Sequence, residues 1–165
     1  MVKKILILIV EMLLIALVIW VISAILDSAR ADELESAWVI CQPNDYVNVR
    51  MNPSRKSQVV GFADAGDSFL TDGKAKNGYV RCYGIGEAGE GWIHAGYVIH
   101  DRPERVTVSA VVVSNGRLAA RQHVGGKVRK WLRNMDTVKV YWVSDEWAVT
   151  DKGFVKSRFI EMEGE

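Results

Sequence analysis

Three stretches of this chain carry residue types at spacings that do chemistry elsewhere. Gly84-Ile85-Gly86-Glu87-Ala88-Gly89 spells GxGxxG. That pattern brings backbone close to a pyrophosphate when a helix follows it. Here a short Gly91-Trp92-Ile93 strand follows instead, and Glu87 and Glu90 repel phosphate. The stretch therefore reads as a hairpin loop, and no cofactor is expected. Cys41 and Cys82 are the two cysteines. In an oxidising compartment they are a candidate disulfide, with buried free thiols as the alternative. Closing a loop of about 41 residues would stabilise by about 4 kcal/mol on the chain-entropy model. A Cys82–His94 nucleophile and base is the one catalytic pairing to weigh. The pair is set aside, and no enzyme is expected. The third stretch is residues 117–133, with Arg117, Arg121, Lys127, Arg129, Lys130 and Arg133 and no Asp or Glu. A one-signed run is either a solvated face or a surface for an anionic polymer or headgroup. Arg129, Lys130 and Arg133 are its candidate binding residues.

The elements that hold these residues alternate with a period of two. Val47 and Val49 interleave with Asn48 and Arg50, as in a half-buried strand. Pro53 fixes its own φ and pushes Asn52 out of the helical region, so the chain turns there. The same alternation predicts strands over residues 38–41, 47–50, 59–63, 68–72, 79–83 and 91–93. Asp72-Gly73 and Asn77-Gly78 are turn dipeptides between them.

Tyr46-Val47-Asn48-Val49-Arg50, the Asn52-Pro53-Ser54 turn, Val59-Val60-Gly61 and Gly66-Asp67 come in that order. Gly91-Trp92-Ile93-His94 and Gly96-Tyr97-Val98 follow. Together, over residues 38–99, they resemble the opening and closing signatures of bacterial SH3-like (SH3b, Src-homology-3-type) domains. The resemblance implies a small β-barrel, a one-turn 3₁₀ helix near residues 95–97, and aromatic residues that hold an extended peptide. On that basis Tyr46, Asn48, Arg50, Tyr79, Tyr83, Trp92 and Tyr97 are candidate ligand-binding residues. Each also has a structural reading. Asn48 is expected to hydrogen-bond its turn, and Arg50 to pack on an aromatic ring or pair with an acid.

After a linker at residues 101–105 the pattern recurs. Leu118-Ala119-Ala120-Arg121 lies over Val47-Asn48-Val49-Arg50, Val128 over Val59, and Trp131 over Phe62. Trp147 lies over Tyr79, Gly153-Phe154-Val155 over Gly91-Trp92-Ile93, and Phe159-Ile160 over Tyr97-Val98. The second copy is divergent: Ala119 replaces Asn48, and Val124-Gly125 replaces Pro53-Ser54. The expected architecture is all-β, with two tandem small SH3-like β-barrels at residues 37–100 and 106–162. One hydrophobic N-terminal helix precedes them. Closure of each sheet suits copies this small. The expected cores are Val47, Val49, Val59, Phe69, Trp92 and Val98, then Leu118, Ala120, Val128, Val138, Val140 and Phe154.

Residues 1–31 read as a targeting or anchoring segment. Lys3 and Lys4 precede an apolar run over residues 5–26, broken by Glu11. About 22 residues make a helix of roughly 33 Å, enough to cross a bilayer. The lysines keep the N-terminus inside, so the remainder faces outward. Ala29-Arg30-Ala31 fits a signal-peptidase site. Two outcomes follow: a single-pass cell-membrane protein with extracytoplasmic domains, or a secreted one cut after Ala31. A formal net charge of +1 carries no general nucleic-acid footprint. The resemblance to tandem bacterial SH3-like domains implies a cell-wall-targeting role, with peptidoglycan or another anionic cell-wall polymer as the partner, bound without catalysis by two linked weak sites. The alternative is a membrane-anchored adaptor for a surface protein.

Overall fold

The computed structural model describes residues 12, 15–20 and 34–162. Residues 12 and 15–20 are helical. Among the described residues no helix is long and apolar enough to cross a membrane. The rest of the expected anchor over residues 5–26, Glu11, and the cleavage site after Ala31 lie outside the described residues.

From Glu35 onward the chain forms one compact unit, built as two antiparallel sheets. The first holds β1 (Glu35–Val39), β2 (Tyr46–Arg50), β3 (Val59–Asp64), β4 (Ser68–Thr71), β5 (Ala75–Lys76), β6 (Tyr79–Tyr83), β7 (Glu90–His94) and β8 (Val98–Ile99). The second holds β9 (Glu104–Val112), β10 (Leu118–Arg121), β11 (Val128–Leu132), β12 (Thr137–Val143), β13 (Trp147–Thr150), β14 (Gly153–Lys156) and β15 (Ile160–Met162). The strand orders are β3-β2-β7-β6-β4-β1-β8, with β5 on β6, and β11-β10-β14-β13-β12-β9-β15. These are one path traced twice, strand for strand. A one-turn 3₁₀ helix precedes the last strand of each, at Ala95–Tyr97 and Ser157–Phe159. The sequence repeat is thus a repeat of connectivity. The GxGxxG stretch is a β6–β7 loop with a single 3₁₀ turn at Gly86–Ala88.

Two irregularities correct the expected core. Val49 faces Gly61 while Arg50 faces Val59, which leaves Val60 as an extra residue. Ala120 faces Lys130 while Arg121 faces Val128, which leaves Arg129 extra. A bulge reverses the alternation beyond it. Val59 is consequently exposed, Val60 packs on the core in its place, and Val128 is only half-buried. Trp92 is the second correction. It is half-buried, and Ile93 beside it is fully buried. The inward phase of β7 runs through Gly91 and Ile93. A Cβ at Gly91 would lie 2.5 Å from Val49 Cγ1, so the inner face there admits only glycine. Trp92 takes the other face.

Each sheet covers its own apolar cluster. Val47, Val49, Phe69, Cys82, Ile93 and Val98 belong to the first; Leu118, Ala120, Leu132, Val138, Val140 and Val155 belong to the second. Phe154 is buried, but not in the second cluster. It joins Trp147 and Val149 against Ile40, just past β1, and Ile99 of β8, with Trp38, Tyr97, Val124 and Trp142 around them. The two sheets therefore share a third cluster. Residues 101–105 are not a free linker: Pro103 is buried, Glu104 opens β9, and Asp101 Oδ2 accepts the Asp145 N–H at 2.6 Å.

Candidate functional site

Five of the expected ligand-binding residues converge. Tyr46, Asn48, Arg50, Tyr79 and Tyr97 line one groove of about 410 Å³. Trp92 and Tyr83 do not. Tyr83 Oη donates to Asp72 Oδ2 at 3.1 Å, and Lys74 Nζ lies 3.0 Å from the same oxygen. Burial alone would raise the Asp72 carboxyl, but hydrogen bonds from Lys74 and Tyr83 outweigh it and hold it below its usual value. Tyr83 thus belongs to a surface network with Arg81 and Glu90.

The strand-turn-strand unit places the groove residues, and it divides Arg50 from Asn48. Arg50 Nη1 donates to Ser57 O at 2.8 Å, across the β2–β3 turn. Arg121 Nη1 donates to Gly126 O at 2.8 Å, across the β10–β11 turn. The repeated arginine is a clamp on its own hairpin in both copies. Ser57 Oγ adds a second tie by accepting the Asn52 N–H. Asn48 does not bond its turn, contrary to expectation. Its half-buried amide makes no side-chain hydrogen bond among the described residues.

Five further residues line the groove that sequence reasoning did not assign to it: Asp45, Val47, Arg55, His94 and His123. His123 comes from the β10–β11 turn of the second sheet. Its ring lies 5.1 Å from that of His94 and 5.6 Å from that of Tyr97, centre to centre. Two glycines make room for it. A Cβ at Gly96 would sit 2.2 Å from His123 Nδ1, and one at Gly126 2.6 Å from Cε1. The Val124 N–H donates to Gly96 O at 2.9 Å and ties the two sheets at this point. His123 Nδ1 lies 3.0 Å from Val124 O. A carbonyl only accepts, so Nδ1 carries a proton. His94 is the converse. Its Nδ1 accepts the Gly96 N–H at 3.1 Å, so the neutral ring carries its proton on Nε2. Burial, assisted by His123, holds the His94 pKa below its usual value.

The cysteines lie in the first core as free buried thiols, the alternative to a disulfide. Burial pushes both up to about 11. Cys82 faces Gly91 in register and Tyr79 faces His94, so the thiol and imidazole are offset along the hairpin and form no pair. The basic run is a different case. Arg117, Lys127, Arg129, Lys130 and Arg133 are all exposed, and none makes an ion pair among the described residues. Arg129 and Lys130 stand on β11, the terminal strand of its sheet. Beside them Trp131 is 53% exposed. Its repeat partner Phe62, on terminal strand β3, is 57% exposed, with Tyr46 edge-on at 4.8 Å.

No family model matches the chain, and no curated protein does. Two solved structures it resembles are NlpC1 and NlpC2 from Trichomonas vaginalis, at 11% and 10% identity and a TM-score of 0.34 each. The matches cover 81% and 78% of this chain, and 46% and 48% of those. The chain spans about half the length of either structure. Similarity at this level carries no argument about fold or activity.

Proposed function

We propose that this is a non-catalytic, exported binding protein that recognises peptidoglycan or another anionic cell-wall polymer, and that its two sheets are SH3-like barrels. The observation that carries the reading is the basic strip. Five exposed cations around β11 have no carboxylate partner among the described residues. Four cations outside the strip do find carboxylates: Lys74 pairs with Asp72, Arg81 with Glu90 and Asp72, Lys152 with Asp151, and Lys156 with Glu146. Unpaired like charges on and beside one strand raise the local potential, which an anionic polymer relieves. The identical strand orders support the tandem-barrel reading. Residues 5–26 serve as the membrane segment in this reading. A second reading, an adaptor for a surface protein, draws on the aromatic residues of β3 and β11. Terminal strands with exposed rings suit strand addition by a partner.

The test is sedimentation of the full chain, in mild detergent, with purified sacculi across a salt series. The parent is expected to sediment, and added salt to release it, because exposed charges are screened within about 10 Å at 0.1 M salt. The triple variant Arg129→Glu, Lys130→Glu, Arg133→Glu is expected to stay in the supernatant with an unchanged melting temperature. Equal sedimentation of parent and variant at low salt refutes the basic strip as the binding surface. Failure of the parent to sediment favours the adaptor.

A further inference from the structure

Asn48 has no structural duty in this fold. The β2–β3 turn is held by Arg50 and Ser57. The second copy holds its turn with Arg121 and carries Ala119 where Asn48 stands, so the hairpin does not need the amide. Yet Asn48 lines the groove with its side chain unpaired among the described residues. A carboxamide offers donors on one side and an acceptor on the other, the complement of one peptide group. The groove's charge points the same way. Arg50 and Arg55 both line it; Arg55 makes no ion pair among the described residues, and Arg50 has further donors beyond the Nη1–H given to Ser57 O. The one carboxylate in the lining is Asp45, whose Oδ1 already accepts the Tyr46 N–H at 2.9 Å. The wall opposite is closed by His123 from the other sheet, wedged between Gly96 and Gly126. A groove of about 410 Å³ is of small-ligand size, closer to a short peptide end than to a polymer.

We propose that the two sheets together form a composite site for the carboxylate end of a short peptide. Asn48 pairs with the last peptide group, and Arg50 and Arg55 face the terminal carboxylate. His94 offers its Nε2–H as a further donor, and His123 bounds the pocket for the terminal side chain. This site is separate from the basic strip on β11 and does not depend on it.

The experiment is an NMR titration of the full chain in detergent micelles with acetyl-Ala-Ala, in L,L and D,D forms. The C-terminal amides of both and acetate alone are the comparison probes. At least one acid form is expected to shift the Asn48 side-chain and His123 ring resonances. It should bind at least about tenfold tighter than its amide, since a charge-assisted contact is lost in the amide, and more tightly than acetate. Asn48→Ala, the residue type already present at Ala119, should lose about tenfold or more in affinity with its melting temperature unchanged. Arg55→Gln should reduce the preference for acid over amide, leaving the part that Arg50 supplies. The Arg129, Lys130 and Arg133 triple variant should bind the peptide as the parent does, which separates this site from wall retention. The proposal is overturned if no probe binds at millimolar concentration, if acid and amide bind equally, or if Asn48→Ala binds as the parent does.

Discussion

Replacing Gly96 by alanine tests the contact that joins the sheets at the groove. Its Cβ would lie 2.2 Å from His123 Nδ1, 2.7 Å from Cγ and 2.8 Å from Cε1. No side-chain end can flex away cheaply, because the ring is held on its other side by Gly126 and by the Nδ1–H bond to Val124 O. Either the ring leaves or the Ala95–Tyr97 turn shifts. Overpacking of this kind costs about 1–3 kcal/mol. Loss of the Val124 N–H bond to Gly96 O adds about 1 kcal/mol. The expected destabilisation is about 2–4 kcal/mol, read by urea denaturation of the full chain. The double variant Gly96→Ala, His123→Ala decides the cause. Removing the ring removes the clash, so most of the Gly96→Ala cost should disappear in the His123→Ala background. That corresponds to a coupling of about 1–3 kcal/mol. If Gly96→Ala costs the same in both backgrounds, His123 is not what the glycine accommodates, and the wedge between the sheets is refuted.

Four further outcomes follow from the burial pattern. Phe154→Ala should cost about 3–5 kcal/mol, the usual range for a buried ring. Because Phe154 sits in the shared cluster, the parent should melt in a single transition; two separated transitions in the parent would contradict shared packing. Trp92→Ala should cost less than Phe154→Ala, since Trp92 is half-buried; an equal loss would return it to the core. Cys41 and Cys82, buried and pushed up to about 11, should react with iodoacetamide at pH 8 only after denaturation, and reductant should leave the melting temperature unchanged. For His94 the folded pKa is depressed, so the unfolded chain takes up the proton first. Stability from this group is fully present above about pH 6.5, its unfolded value, and declines as pH falls through the lower folded value. His94→Gln should flatten that part of the stability-pH curve, and an unchanged slope would refute the assignment.

The strands and their repetition were legible in the sequence because period-two alternation is a local signal. Val47, Val49, Leu118 and Ala120 lie where alternation puts them. What the pattern missed has non-local causes. A bulge between Val49 and Arg50 depends on the register of two strands, and one extra residue there was enough to turn Val59 outward. Trp92 looked like core because it is large and apolar, but Gly91 beside it marks the inward phase, where Val49 already fills the space. For the groove, the sequence supplied Tyr46, Asn48, Arg50, Tyr79 and Tyr97 through one repeat's motif. His123 belongs to the other repeat and arrives by a contact between sheets that no spacing encodes. Its one local trace is the glycine pair Gly125-Gly126 in a turn where the first copy has Pro53-Ser54.

Sharing a cluster changes how two repeats work together. Independent modules on a free linker gain avidity through effective concentration, which falls as the linker lengthens. Here Ile40 and Ile99 pack against Trp147, Val149 and Phe154, so the two sheets pack within a single compact unit. The divergence of the second copy then has a physical reading. Its turn does not need Asn48, since Arg121 holds it. Freed from copying the first turn, the segment carries His123 and Val124 toward the first sheet instead. A second copy that had kept the Pro53-Ser54 turn would lack the Val124 N–H that reaches Gly96 O, since proline has no N–H to give. Restoring proline at Val124 is the sharpest expression of this. Val124→Pro removes the inter-sheet hydrogen bond while leaving the Arg121 clamp in place. The expected result is a loss of about 1–3 kcal/mol together with a shift of the His94 ring resonances. A variant as stable as the parent, with His94 unmoved, would show that the turn contributes nothing to the junction.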